Sequence, residues 1–446
     1  MARSYHRSFL PVFALLVGCS GQHASVAIDA GGVGETGSSS GDQAAGSSGV
    51  VNTDSGTPTP AAGGSSGSGG SSSGGSGGAS SGGSSSSSSN GGSTVLPDDG
   101  GRNQASDGGG TGDGGGLTPG TDGATAPYPG AIGDGDFMVG PTYTKSADLT
   151  SKGAPAGKSF HFTMNSTSSM LFTGMDSTLL AANQHSFTRG VDVYIPAKYK
   201  DGATAPFMVI QDGPGQLSNV KLALDNLTQS ADPARQLPTF IAIAVANGGG
   251  DSIGSERGLE YDTVSDRYAQ FVETEVLPAV LADATIKAAF PNLVLTADPD
   301  GRGTVGCSSG SAAALTMGWF HPEWFHRIVT YSGTFVDQQN PAAAEQAMYP
   351  LGAWDYHSDL ALIANTAPKP LRVFVNANEM DNGATAPESG HHNWLLANQR
   401  TAAALKTQNY HYRFVEGLGA GHCDQRVQDL TMADTLLWVW QGYPLN

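Results

Sequence analysis

From residue 191 to residue 440, short apolar runs alternate with helical patterns, and that alternation restricts the chain to few folds. Runs at 191–195, 207–210, 240–245, 327–331, 371–375 and 410–415 have the length and composition of buried strands. Helical patterns at 220–227, 266–281, 309–319, 393–406 and 427–440 fall between them. Strands interleaved with helices predict an α/β fold, a mostly parallel sheet with helices on both faces. Ligands then bind beyond the carboxyl ends of the strands. Any chemistry should sit in loops that follow strands.

One such loop reads Gly306-Cys307-Ser308-Ser309-Gly310. A G-x-S-x-G turn between a strand and a helix lifts a serine hydroxyl out of a sharp corner, the nucleophile elbow of α/β-hydrolases. The pattern alone decides nothing, because the chain has 63 glycines and also matches at Gly63-Gly64-Ser65-Ser66-Gly67 and Gly74-Gly75-Ser76-Gly77-Gly78. Those copies lack a strand before and a helix after. Ser308 has Gly303-Thr304-Val305 ahead of it and Ala312-Ala313-Ala314-Leu315 behind, small residues that allow close helix–sheet packing.

A serine hydroxyl is a weak nucleophile and needs a base. Of the 11 histidines, His422 is the one placed between the last strand run and the last helix, after the glycine-rich stretch 417–421. His321 and His326 belong to the end of the elbow helix, and His391 and His392 to a helix start or the pocket entrance. An acid must hold the imidazole in its tautomer. Glu379 is the expected one, with Asp381 as the alternative and a Ser–His dyad as the third possibility. The chain order serine, acid, histidine is that of the α/β-hydrolases. An oxyanion would be met by backbone N–H groups. Ser309 should supply one, and Gly213 (alternatively Gly215) the other, since Pro214 between them has no N–H.

The N-terminus carries Arg3 and Arg7 and then an apolar run at 9–17. A run this short is a secretory signal, since a membrane span needs about 20 residues. Leu16-Val17-Gly18-Cys19 resembles a bacterial lipobox, which implies a signal peptide over 1–18 and lipidation at Cys19; Ser20 then points to the outer membrane of a Gram-negative cell. The other possibility is a plain secreted protein. Residues 19–134 are Gly, Ser, Ala, Thr, Pro and Asp with hardly an aromatic side chain, and are expected to form a disordered tether. As a flexible coil it would average about 60 Å end to end. The domain proper is expected over 135–446. A net charge of −18 argues against nucleic acid or an anionic lipid surface as partner, which leaves the membrane only the N-terminal lipid anchor.

Asp122-Gly123-Ala124-Thr125-Ala126-Pro127 recurs at 201–206 and, as Asn382-Gly383-Ala384-Thr385-Ala386-Pro387, once more; with Gly and Pro in each copy these are loops. If Cys19 is lipidated, only Cys307 and Cys423 remain, one directly before the candidate serine and one directly after the candidate histidine. In an exported protein they should be joined. Closing so long a loop is worth roughly 4–5 kcal/mol on the chain-entropy model.

Val193-Tyr194-Ile195-Pro196, Gln211-Asp212-Gly213, Glu260-Tyr261-Asp262, the elbow, and Asn393-Trp394-Leu395-Leu396-Ala397-Asn398 together resemble the enterochelin-esterase-like branch of the esterase D family. The resemblance implies an α/β-hydrolase fold, no cofactor, no metal, and hydrolysis of carboxylic esters by a Ser–acid–His site through an acyl-enzyme. Ser308 and His422 match directly. The family's Asp-Leu-Asp-Asn-like run falls on Glu379-Met380-Asp381-Asn382, so its first acid matches Glu379. The Gly-Ala-Thr-Ala-Pro copy at 383–387 looks inserted beside the pocket rim. The Cys-Ser and His-Cys pairs are similar to the disulfide-linked arrangement of tannases and fungal feruloyl esterases. The expected substrate is a small-molecule or glycan-linked ester of the siderophore, feruloyl or a related kind. Arg257, Glu260, Tyr261, Asn393 and Trp394 are the expected substrate-binding residues. Two alternatives remain: an acyltransferase on the same fold, or a non-catalytic surface lipoprotein that binds a ligand.

Overall fold

The structure, a computed structural model, describes residues 130–251, 253–338 and 344–445. The expected signal peptide, Cys19 and the tether up to residue 129 lie outside the described residues.

Nine strands form one mixed sheet: β1 Gly135–Val139, β2 Lys158–Asn165, β3 Thr188–Ile195, β4 Phe207–Gln211, β5 Ile241–Val245, β6 Arg302–Cys307, β7 Arg327–Tyr331, β8 Arg372–Met380 and β9 His411–Gly421. Their spatial order is β1-β9-β8-β7-β6-β4-β5-β3-β2. The run from β1 to β5 is parallel, while β3 pairs antiparallel with both β5 and β2. All six apolar runs are strands. β1 and β2 escaped the sequence reading because they are outer strands of mixed polarity: GDFMV, and KSFHFTMN, whose residues alternate between exposed and half-buried.

Strand alternation divides the core. Met208 and Ile210 of β4 face one side with Val220 and Leu224 of helix α1 (Leu217–Leu227) and with Leu436 and Trp438 near the C-terminus. Phe207 and Val209 face the other, with Met317 of the elbow helix and the aromatic group Phe172, Tyr261, Tyr268 and Phe271. Four helices beside α1 matter for the site: α2 Glu256–Tyr261, α3 Ser309–Phe320, α4 Trp394–Thr407 and α5 Gln425–Val439. Helix α3 is the central one. Ala312, Ala313 and Ala314 are fully buried, which lets its axis lie close over the strands.

At the start of β9 the buried Arg413 guanidinium gathers the carbonyls of Gly130 (2.6 Å), Ile132 (2.5 Å) and Gly133 (2.8 Å). Residues 130–133 are thus fastened to the domain.

Candidate active site

Strand β6 ends at Cys307 and helix α3 begins at Ser309, so Ser308 alone makes the turn, with φ +58° and ψ −132°. A non-glycine residue is rare in that left-handed region, and the position holds only because both flanking elements are fixed. The two motif glycines are required by the sharpness of the corner. A Cβ on Gly306 would lie 2.1 Å from the Gly310 carbonyl oxygen, and one on Gly310 would meet Asp212 Oδ2 at 2.9 Å. Ser308 N–H donates to the Tyr331 carbonyl at 3.0 Å, which ties the turn to β7.

His422 follows β9 directly. Its Nε2 is 2.9 Å from Ser308 Oγ, and its Nδ1 is 2.6 Å from Asp381 Oδ1. The carboxylate on the imidazole is therefore that of Asp381, and the expectation for Glu379 is corrected. The reason lies in the length of β8. The strand does not stop after the apolar run at 375 but continues to Met380. Asn376 and Asn378 stay buried, Glu379 and Met380 become exposed, and Asp381 is buried as the chain turns back. Glu379 faces outward and accepts the Gly419 N–H at 2.7 Å. Asp381 also accepts from Asn382 N–H at 2.9 Å.

The loops that carry these groups are held by neutral polar side chains. Asn378 donates to the Gly421 carbonyl (2.6 Å) and to Ser332 Oγ (3.1 Å). Ser332 Oγ in turn accepts the Cys423 N–H at 3.0 Å. Asn376 donates to the Val415 carbonyl at 2.9 Å. Cys307 and Cys423 form the expected disulfide, with their Cα atoms 6.0 Å apart across 116 residues of sequence. The residue before the serine and the residue after the histidine are covalently joined.

A cleft of about 510 Å³ opens over Ser308 and His422, with Asp251, Arg257, Gln338, Asn382 and Trp394 among its walls. Of the five residues expected to bind substrate, Arg257 and Trp394 reach it. Glu260 does not: it is fully buried in a two-pronged pair with Arg189, at 2.7 and 2.9 Å. Tyr261 is also fully buried, with its hydroxyl accepting the Asp212 N–H at 3.0 Å. Asn393 is spent as the N-cap of α4, accepting from Leu396 N–H at 2.9 Å and donating to the Ala384 and Ala386 carbonyls at 3.1 Å each. These three errors have one cause: sequence adjacency to Arg257 or Trp394 does not say whether a side chain faces the cleft or the core.

The wall opposite the histidine is ionic. Asp212 takes Arg257 Nε (2.8 Å) and Nη2 (2.9 Å), Arg257 Nη1 reaches Asp251 (2.9 Å), and Asn247 donates to Asp212 (2.6 Å). Burial lowers the pKa of the guanidinium, but the Asp212 carboxylate outweighs it and holds the group above its ordinary value. Beside it Asp262 is buried, within reach of the Ser309 side chain. Burial pushes that group up to about 8, so it is protonated at neutral pH. Glu256 is a second buried acid, pushed up to about 7 first by burial and then by Glu260. The burial of neither was read from the sequence, although Asp262 belongs to the Glu260-Tyr261-Asp262 run.

Of the two glycines expected to face an oxyanion, Gly213 is already committed: its N–H donates to the Val245 carbonyl at 2.9 Å. That expectation is corrected too, and Gly215, with φ +39°, is the one left. Ser309 begins α3 directly after the serine.

Among the described residues no group of three or more His, Cys, Asp or Glu is arranged to hold a metal ion, and no helix is long and apolar enough to cross a membrane. The family model described as "Putative esterase" matches residues 184–427, more than half of the chain. No curated protein matches. Solved structures similar to this chain include a ferulic acid esterase (18% identity, 64% of this chain and 99% of that one, TM-score 0.42). Another is the enterobactin esterase FES from Shigella flexneri (20% identity, 58% of this chain, TM-score 0.38); this chain spans only 56% of its length. A third is the ferulic acid esterase AmCE1/Fae1A from Anaeromyces mucronatus (11% identity, 67% of this chain and 98% of that one, TM-score 0.42). The family match covers more than half of the chain, so this chain, an α/β fold with a serine at a strand-to-helix elbow, belongs to the Putative esterase family.

Proposed function

We propose that this carboxylic ester hydrolase works through Ser308, His422 and Asp381 by way of an acyl-enzyme. The observation that carries the reading is the unbroken hydrogen-bonded chain from Asp381 through His422 to the hydroxyl of a residue at φ +58°. Asp381 accepts a hydrogen bond from Nδ1–H, which leaves Nε2 as the base. As Ser308 Oγ attacks the ester carbonyl, its proton passes to His422 Nε2. The tetrahedral oxyanion faces the Ser309 N–H and, from the loop after β4, that of Gly215. Collapse breaks the ester C–O bond, and His422 returns the proton to the leaving alcohol. Water, activated by the same imidazole, then releases the acid.

The polar walls of the cleft and the flat side of Trp394 favour a small ester with a polar scaffold, of the siderophore or feruloyl kind. The disulfide favours an exported protein, in keeping with a lipid anchor at Cys19. A fluorophosphonate probe tests the central claim: wild type should be labelled at one site and Ser308→Ala not at all. Equal labelling of the variant removes Ser308 from the mechanism.

A further inference from the structure

Ser308 Oγ has a second neighbour. Thr334, in the loop after β7, places its Oγ1 3.3 Å away, and its own N–H donates to the Ser308 carbonyl at 3.1 Å. Thr334 is fully buried. Its Oγ1 also lies 3.1 Å from Trp394 Nε1. An indole N–H can only donate. It therefore takes a lone pair on the threonine oxygen, and the threonine hydroxyl hydrogen must point elsewhere. Ser308 Oγ is the side-chain acceptor in reach.

We infer that Thr334 donates to Ser308 Oγ, and that Trp394 sets the direction of this bond. All the protons then run one way: Trp394 to Thr334, Thr334 to Ser308, Ser308 to His422, and His422 to Asp381. With one Oγ lone pair engaged by Thr334, the serine proton is steered to Nε2. As it leaves, the Thr334 hydroxyl faces the charge that grows on Oγ. It faces the same atom again when Oγ becomes the leaving group in deacylation. Thr334 keeps its own proton throughout, so it is a positioning residue, and the covalent steps balance as already written. At 3.3 Å the bond is slack in the resting enzyme and should tighten as charge builds.

The sequence run Asn393-Trp394-Leu395-Leu396-Ala397-Asn398 supplies the support. One turn after Trp394 on α4, Asn398 accepts the Gly333 N–H (3.2 Å) and donates to the carbonyls of Gly333 (2.8 Å) and Trp394 (2.8 Å). Residues four apart share a helix face. The tryptophan and the asparagine thus grip adjacent residues of one loop. This accounts for a motif that the triad leaves unexplained, since Trp394 is only 8% exposed and has its nitrogen committed to Thr334.

The inference rests on the proposed Ser308 mechanism and is tested apart from it. Thr334→Val, Thr334→Ser and Trp394→Phe are compared with wild type for kcat and KM on a soluble aryl ester, for fluorophosphonate labelling rate, and for melting temperature. One hydrogen bond to a developing charge predicts that Thr334→Val loses about tenfold in kcat and labelling rate with KM within about twofold. Thr334→Ser should recover to within about threefold of wild type, and Trp394→Phe should lose about threefold or more. A structural role alone would leave serine as impaired as valine. Wild-type kcat in Thr334→Val, or no rescue by serine, overturns the inference. If Thr334→Val fails to fold, Thr334→Ser and Trp394→Phe decide it: full activity in Trp394→Phe removes its directing part. Loss of labelling in Ser308→Ala beside wild-type labelling in Thr334→Val would retain the mechanism and reject only this bond.

Discussion

The two walls of the cleft are built from different chemistry. On the histidine side the loops after β6, β8 and β9 are held by neutral groups, namely Asn376, Asn378, Ser332 and a disulfide. The opposite side is ionic, with Arg257 between Asp212 and Asp251 and two further buried acids, Asp262 and Glu256. Neutral hydrogen bonds and a covalent link keep their geometry whatever the pH. An ionic wall with buried acids does not, because each acid has a protonation state that the fold has to choose. On the proposed mechanism, proton transfer falls on the side whose loops are held by neutral groups.

The largest expected effect separates the two carboxylates on β8 and its turn. Asp381→Asn should cost about 10³–10⁴-fold in kcat, because an amide favours the wrong imidazole tautomer. Glu379→Gln should stay within about twofold, since its carboxylate only accepts one exposed N–H. Steady-state kinetics on the purified pair measures both, and a reversed ranking would return the acid role to Glu379.

Next in size is the covalent link of the neutral wall. Cys307→Ala with Cys423→Ala should lower unfolding free energy by roughly 2–5 kcal/mol. A denaturant titration that finds no loss would mean that Asn378 and Ser332 alone hold the histidine loop.

The smallest effect probes the ionic wall. Asp262 has its folded pKa raised to about 8 from an ordinary value of 3.8. Between those values the unfolded chain has released a proton that the native state retains, so stability falls as pH rises from about 4 to about 8. The contribution is whole below the unfolded pKa and lost through the folded one. Asp262→Asn should therefore gain a few degrees in melting temperature at pH 8, and less at pH 5. Equal shifts at both pH values would show that Asp262 is not the titrating group.

The same contrast explains what could be read from the sequence. Apolar alternation gives the inner strands at once, and Ser308 is recognisable because a strand and a small-residue helix flank its turn. His422 follows from its place after the last strand. The acid was misassigned because Asn376 and Asn378 look like loop residues, yet they are buried strand positions whose amides bind neighbouring loops. Five extra strand residues, 376–380, turn Glu379 out and bring Asp381 in. Thr334 had no local signal at all. Its role depends on a helix sixty residues away in sequence. The disulfide was legible for the opposite reason, since both partners adjoin residues that the chemistry already brings together.

The Arg413 clasp has a consequence for orientation. β9 runs from His411 to Gly421, so at about 3.3 Å per residue the clasp lies some 25–30 Å behind the histidine, at the far end of the sheet. Residues 130–133 are therefore bound at the end of the sheet opposite the catalytic loops, and they leave the mouth of the cleft uncovered.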